Sequence, residues 1–274
     1  MTRFTSLRTT AATFFAVALF AVASAAPAAA DSPVLDRVRA AKTLKVGITG
    51  AQPPLNATSK DGKIIGFEAD LARMLATSMG LKADLVATPF PQLLPKVAKG
   101  EVDIVISGVT ITPERNLDVS FVGPYFISGK SILTKSQTMS ELQDAREINK
   151  ADIKLVTLRD STSQIFVEEI ISKAKLTTVD SYEEGRKMVM DGSVDAMIAD
   201  HPFCLISVLR DETEELVTLA EPFTFEPIGF ALPPNDAQFV NLVQNFLITL
   251  EGTGTLLEMK EQYFSDGSWL DDTK

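Results

Sequence analysis

Apolar residues along this chain alternate between short continuous runs and stretches spaced at the helical period, which predicts a repeating strand–helix order. Val34, Leu35 and Val38 mark a short amphipathic helix, and the run at 44–48 reads as a strand ending in a loop with Gly50, Pro53 and Pro54. Phe67, Leu71, Met74, Leu75 and Met79 then recur on one helical face, and the pattern stops at Gly80. A strand at 83–87, a helix at 91–98 and a strand at 103–106 follow. This order predicts an α/β architecture with largely parallel pairing. Right-handed crossovers in such a sheet bring successive loops to one edge.

The middle of the chain repeats the plan, with strands at 153–157, 176–179 and 195–199 and helices at 164–174 and 182–190. The phrase Gly100-Glu101-Val102-Asp103-Ile104-Val105-Ile106 returns as Gly192-Ser193-Val194-Asp195-Ala196-Met197-Ile198. Residues 136–152 are polar and carry no strand pattern. Pro222, Pro227, Pro233 and Pro234 bracket a strand at 228–232, and helices at 237–250 and 255–263 close the chain. Two lobes fit this length better than one. The expected division is a first lobe at 31–128, a second at 129–223 and a return to the first at 224–274, with crossings at 125–130 and in the proline-bracketed segment.

Residues 1–30 break the pattern. Arg3 and Arg8 precede an Ala/Phe/Val/Leu run from Ala11 to Ala23, and Ala28-Ala29-Ala30 offers a small-residue cleavage site before Asp31. The run is short and alanine-dominated beside the ~20 apolar residues that a membrane span requires. No cysteine adjoins the site to carry a lipid. The expectation is a secretory signal peptide cleaved after Ala30 and a soluble, periplasmic product.

Without Arg3 and Arg8, 24 of the 26 basic residues face 36 acidic ones, a formal charge of −12. Such a surface repels nucleic acid and anionic membranes, so no nucleic-acid partner is expected. Cys204 is the single cysteine, which rules out an intramolecular disulfide. His201 is the single histidine, which rules out a His-cluster metal site, and no G-x-S-x-G elbow accompanies it. Neither metal nor cofactor is expected, and the protein should be a monomer.

Ligands of open α/β sheets bind beyond the carboxyl ends of the strands. Four turns fall there: 50–55, 107–115, 159–164 and 200–203. In Ser107-Gly108-Val109-Thr110-Ile111-Thr112-Pro113-Glu114-Arg115, Thr112 reads as a helix N-cap and Pro113 as the first helical residue. An arginine in a first helical turn opposes the dipole by roughly 0.3–1 kcal/mol. Arg115 therefore either faces a bound anion or lies on an ordinary solvated turn. Ser161-Thr162-Ser163-Gln164 fits a capping box, as a cap alone or as a set of N–H groups for a carboxylate. Asp200 precedes Pro202 and is either a helix cap or the partner of a ligand ammonium.

An anion site with an opposed carboxylate describes a receptor for an α-amino acid. Arg115 would pair bidentately with the carboxylate, and Asp200 would accept from the amino group. No activated nucleophile or carboxylate pair accompanies them, which argues against catalysis.

Leu44-Lys45-Val46-Gly47, Gly66-Phe67-Glu68-Ala69-Asp70-Leu71, the 107–115 motif, Phe121-Val122-Gly123-Pro124-Tyr125 and residues 195–200 together resemble the family 3 extracellular solute-binding proteins. The resemblance spans essentially the whole mature chain, in order. It implies an α/β, two-lobed, hinged periplasmic-binding-protein-like fold, each lobe a mostly parallel sheet flanked by helices. It also implies a polar or neutral amino acid as ligand, delivered to the membrane permease of an ABC transporter. Carried over by motif, Arg115 binds the ligand carboxylate, Gly108 and Thr110 supply backbone and hydroxyl contacts, Ser161 and Thr162 approach the carboxylate from the second lobe, and Asp200 takes the amino group. Gln52 and Phe90 would read the side chain, Phe90 being equally suited to the core.

The departures bear on specificity. Gln52-Pro53-Pro54-Leu55 stands where the family commonly has an aromatic before Pro-Pro-Phe, and Gly50-Ala51 replaces an acidic residue found in binders of basic amino acids. Asp160 stands where glycine is usual before the Ser/Thr pair. His201 reads as a structural helix-start residue, and Arg159 faces either an acidic ligand or water. The chain also resembles periplasmic cyclohexadienyl dehydratases, which act on prephenate or arogenate. Their catalytic glutamate falls at the position of Phe203, so a binding protein is expected, not an enzyme. A soluble sensory module is the third reading.

Overall fold

The computed structural model describes residues 32–264 and 268–273; the expected signal peptide and its cleavage site lie outside the described residues. One sheet has the strand order Lys82–Ala87, Thr43–Ile48, Ile104–Val105, Glu226–Leu232, Ser120–Ser128. The first three strands run parallel, with Thr43 opposite Lys82 and Val46 opposite Ile104. Glu226–Leu232 is antiparallel to both of its neighbours.

The second sheet repeats this layout in the order Lys175–Val179, Lys154–Leu158, Ala196–Asp200, Lys130–Thr134, Val217–Thr218. Its first three strands are parallel, and Lys130–Thr134 is antiparallel to both neighbours. The predicted parallel pairing thus describes the strand–helix–strand units of each lobe. In these two sheets every antiparallel pair includes a strand next to a crossing between lobes.

The helices form where the apolar spacing places them, at Pro33–Ala41, Phe67–Ser78, Phe90–Ala98, Thr162–Ile170, Tyr182–Met190, Ala237–Gly252 and Thr255–Phe264. Local chemistry sets their starts. Asp236 caps its own helix through Phe239 N–H at 2.9 Å and also accepts from Val34 N–H at 3.0 Å and Ser32 Oγ at 2.7 Å. One buried carboxylate therefore ties two helix N-termini together. Phe67 packs against Tyr125, Phe126, Tyr263 and Phe264 at centroid distances of 5.6–6.3 Å. Burying a side chain of this class contributes about 1.5–3 kcal/mol. The cluster fixes the C-terminal helix to the first lobe.

One prediction needs correction, and one strand was not predicted. The α-helix expected from Pro113 is a single 3-10 turn, Arg115–Leu117. Thr112 does seed it, accepting Arg115 N–H on Oγ1 at 3.2 Å and Asn116 N–H on its carbonyl at 3.0 Å. Leu117 is 86% exposed, so the segment has no apolar face whose burial could extend the helix. The unpredicted strand is Ser120–Ser128 of the first sheet, which runs through the segment expected as a crossing almost into Lys130–Thr134 of the second. Gly123 and Pro124 hid the first strand, and its place at the sheet edge is what lets it hold a proline.

The two crossing segments lie side by side. Lys130 N–H donates to Thr224 Oγ1 at 2.9 Å, and Phe223 N–H donates to the Lys130 carbonyl at 2.8 Å. A Cβ added at Gly129 would stand 2.1 Å from the Thr224 carbonyl oxygen. Only glycine permits this approach.

Candidate functional site

The 107–115 turn is stitched to the strand Glu226–Leu232 of the first sheet. Ile111 N–H donates to the Pro227 carbonyl at 2.7 Å, and Gly229 N–H donates to the Val109 carbonyl at 3.1 Å. Gly108 sits at φ +58°, and a Cβ there would lie 2.7 Å from Gln52 Nε2. Its N–H donates to Glu68 Oε1 at 2.6 Å. That amide is therefore spent inside the protein, and Gly108 also contributes the shape of the turn.

Glu68 is wholly buried and holds this turn in place. Tyr125 OH donates to its Oε1 at 2.6 Å, and Asn56 Nδ2 donates to its Oε2 at 2.6 Å. Burial pushes the Glu68 carboxyl pKa up, against the pull of these three donors. Burial and the adjacent carboxylate raise the Tyr125 phenol well above its ordinary value. No role for Glu68 was read from the sequence. The available signal was a carboxylate on the apolar stripe formed by Leu71 and Leu75.

Arg115 joins the lobes. Its Nη1 donates to the Thr110 carbonyl at 3.0 Å, its Nη2 donates to the Asp160 carbonyl of the second lobe at 3.2 Å, and its Cζ lies 5.9 Å from the Phe90 ring centroid. Burial lowers its pKa, and the charges of Asp200 and Glu226 oppose that. The guanidinium stays charged. Across the junction Thr110 Oγ1 and Thr162 Oγ1 lie 3.3 Å apart, and Thr162 Oγ1 donates to Glu226 Oε2 at 3.2 Å.

Ser161 caps its helix, accepting Gln164 N–H on Oγ at 3.2 Å, and its hydroxyl donates to the Leu158 carbonyl at 2.6 Å. Its proton is therefore committed, leaving the first-turn N–H groups of the helix as what this turn can offer an anion. The reciprocal arm of the capping box falls one residue early, on Asp160 N–H, which donates to Gln164 Oε1 at 2.9 Å. Asp160 adopts φ +55°, so the turn keeps the left-handed conformation that glycine would take.

Asp200 does not cap the helix His201–Leu209 with its side chain. Lys130 Nζ donates to its Oδ1 at 2.7 Å, and Tyr182 OH donates to its Oδ2 at 2.8 Å. Glu226 Oε2 lies 3.5 Å from the same ammonium. Burial and Asp200 together raise the Tyr182 phenol well above its usual value, and the nearby Gln52 amide acts the other way. Lys130, Tyr182 and Glu226 were not among the predicted site residues. A strand lysine and a helix tyrosine have no local feature that sets them apart from surface residues.

Gln52 is 3% exposed. Its Oε1 accepts from Ser107 Oγ at 2.7 Å and from Thr49 Oγ1 at 3.0 Å, while its Nε2 is buried with no hydrogen-bond partner. It lines a cavity of about 300 Å³ with Thr49, Phe90, Leu158, Ser181 and Tyr182, drawn from both lobes. Gln52, Phe90, Gly108, Thr110, Arg115, Ser161, Thr162 and Asp200 are thus linked into one junction. A separate cavity of about 430 Å³ sits at the crossing segments, walled by Phe126, Ile127, Leu205 and Phe264, and shares no residue with this junction. His201 lines that second cavity, its Nδ1 buried without a partner, so it does not face the junction. Arg159 pairs with Asp180 at 2.8 Å on the surface. Phe203 is buried and packs on Tyr182 at 4.5 Å.

Residues 44–266 match the model of the bacterial extracellular solute-binding proteins, family 3. The L-cystine-binding protein TcyJ of Escherichia coli is 28% identical over 237 residues, 86% of this chain and 87% of that protein. A cyclohexadienyl dehydratase of Pseudomonas aeruginosa is 27% identical over 248 residues, 90% of this chain and 92% of that one. A putative ABC-transporter binding component from Wolinella succinogenes, solved with lysine, superimposes with a TM-score of 0.80 at 34% identity, covering 84% of this chain and 99% of that one.

Proposed function

Because the chain belongs to family 3 of the bacterial extracellular solute-binding proteins, we propose that it captures an amino acid between its lobes in the periplasm and presents it to the permease of an ABC transporter. The observation that carries this reading is the single junction to which both lobes bring charge: Arg115 from the first lobe, the Thr162–Ile170 helix start and Asp200 from the second. Arg115 and the helix N–H groups bind the ligand carboxylate. Asp200, already oriented by Lys130 and Tyr182, accepts from the ammonium on its remaining lone pairs.

Closure of the lobes removes water from these pairs and strengthens them. The closed form is the state the permease reads, and the hinge is the paired crossing at Gly129 and Thr224. The lobes are residues 31–128 with 224–274, and 129–223. A signal peptide cleaved after Ala30 directs export, and the exported protein acts as a monomer.

The likeness to a cyclohexadienyl dehydratase raises catalysis as the competing function. A buried phenylalanine at position 203 supplies no general acid, which favours binding without turnover. Isothermal titration of the mature protein, unfolded and refolded to strip carried-over ligand, against the standard amino acids tests the proposal. Heat and saturation with at least one are expected, and silence with all of them overturns it. Phenylpyruvate formed from prephenate would establish the enzymatic reading in its place.

A further inference from the structure

Resting on the amino-acid reading of this cleft, we infer that Glu226 is a positioning residue for ligand capture. With Thr110 it forms a socket in the first lobe that receives the Thr162 hydroxyl and fastens the anion-binding helix start of the second lobe over the ligand carboxylate.

The placement of the socket follows from the two sheets. Glu226 opens the strand Glu226–Leu232 of the first sheet, and Thr110 is bridged to Ile228 on that strand. Between them Ile111 N–H donates to the Pro227 carbonyl at 2.7 Å. Both halves of the socket therefore move with the first sheet. Thr162 instead opens the helix Thr162–Ile170, which follows the strand Lys154–Leu158 of the second sheet.

Proton counting decides how the three groups are joined. A carboxylate accepts and cannot donate, so the 3.2 Å contact runs from Thr162 Oγ1 to Glu226 Oε2. A hydroxyl has one proton, which leaves Thr110 as the donor across the 3.3 Å to Thr162. One hydroxyl of the second lobe thus both receives from the first lobe and donates to it. Both distances exceed the about 2.7–2.8 Å usual for O–H···O bonds, so the socket has room to tighten as the lobes close on a ligand.

The carboxylate is itself held in place at the crossing. Its Oε1 accepts from Thr224 Oγ1 at 3.1 Å, and Thr224 Oγ1 accepts Lys130 N–H at 2.9 Å. Lys130 Nζ lies 3.5 Å from Glu226 Oε2 and 2.7 Å from Asp200 Oδ1. That ammonium offsets a negative charge that would otherwise repel an arriving carboxylate. It also means that removing Glu226 strands no charge, because Lys130 keeps Asp200.

A contact between lobes made through a charged acceptor holds the closed form together, so its loss is read in the rate of ligand release. Stopped-flow binding to the stripped protein, with the standard amino acids and cystine as probes, tests this. Glu226→Ala and Thr162→Val should each release the probe that the parent binds most tightly roughly 10- to 100-fold faster, with association within about threefold. The ligand-free melting temperature should stay within a few degrees of the parent. Glu226→Gln keeps an acceptor and Thr162→Ser keeps the hydroxyl, so each should release within about fivefold of the parent. Glu226→Ala/Thr162→Val should be no more than about threefold faster than either single variant, because both remove the same contact.

Unchanged release from Glu226→Ala, or losses that multiply in the double variant, overturn the inference and leave the amino-acid reading intact. Should Glu226→Ala not fold, Thr162→Val against Thr162→Ser decides in its place: equal release rates overturn the inference, and fast release from the valine variant alone supports it. Failure of every probe to bind the parent removes the amino-acid reading and this inference with it.

Discussion

Lys130 Nζ lies 2.7 Å from Asp200 Oδ1, and the two residues are cross-strand partners in the second sheet. Both side chains are nearly dry, so the pair is an internal counter-ion arrangement and not a surface bridge. Breaking it from one side strands a charge, which costs about 3–5 kcal/mol. Lys130→Met should therefore unfold at markedly lower urea, and Lys130→Met/Asp200→Asn should recover part of the loss. Equilibrium urea curves of the two singles and the double test this; strict additivity would show that the pair is not coupled.

Arg115 makes its protein contacts to two carbonyl oxygens and one ring face. Arg115→Ala should abolish amino-acid binding with less than about 1 kcal/mol lost from the ligand-free fold. Titration together with a ligand-free melt separates the two effects. A large fall in the melting temperature would make Arg115 structural.

Glu68 collects three donors in a dry site and has its folded pKa raised above the ordinary 4.5 by burial. The folded state then holds that proton more tightly than the unfolded state, so stability falls as pH rises through the interval above 4.5. Denaturant unfolding between about pH 4.5 and 8 should show this slope in the parent, and Glu68→Gln should flatten it. Glu68→Ala should cost about 2–4 kcal/mol by orphaning Gly108 N–H and the Tyr125 hydroxyl, and should weaken binding through the displaced turn.

Asp211 accepts from Thr213 N–H, Thr213 Oγ1, Glu215 N–H and Leu216 N–H at 2.7–3.1 Å. Burial would raise its pKa, but the donors outweigh it and bring the value down to about 2. The resulting stability is present above the ordinary 3.8 and fades as pH falls through about 2. Asp211→Ala should destabilise by about 1–3 kcal/mol at neutral pH. The gap to the parent should narrow in acid, as followed by urea unfolding across that range.

Gly129 has no room for a side chain against Thr224 and Pro222. Gly129→Ala should cost about 1–3 kcal/mol and alter the compaction that accompanies ligand binding. Urea unfolding and small-angle scattering with and without ligand would detect these effects. A variant indistinguishable from the parent would show that the crossings separate freely.

How much of this was legible beforehand follows from the range of each interaction. The apolar periods of Phe67, Leu71 and Leu75, and of the strand at Thr43–Ile48, are local, and they yielded the helices, strands and α/β order. The Ser161 cap and the turn seeded by Thr112 are local as well. That Arg115 had a role beyond a solvated turn could be suspected from position alone, since a cation there opposes a helix dipole.

Tertiary structure decided what each polar group is already spending. Nothing near position 108 in sequence tells that its N–H belongs to Glu68, or that Ser161's proton belongs to Leu158. Lys130 meets Asp200 across 70 residues, and Gln52 is pinned by Ser107 across 55. Hydrogen-bond saturation is a property of the folded neighbourhood, so the chain by itself named candidate polar residues, and only the fold showed which of their hydrogen-bonding groups are already engaged.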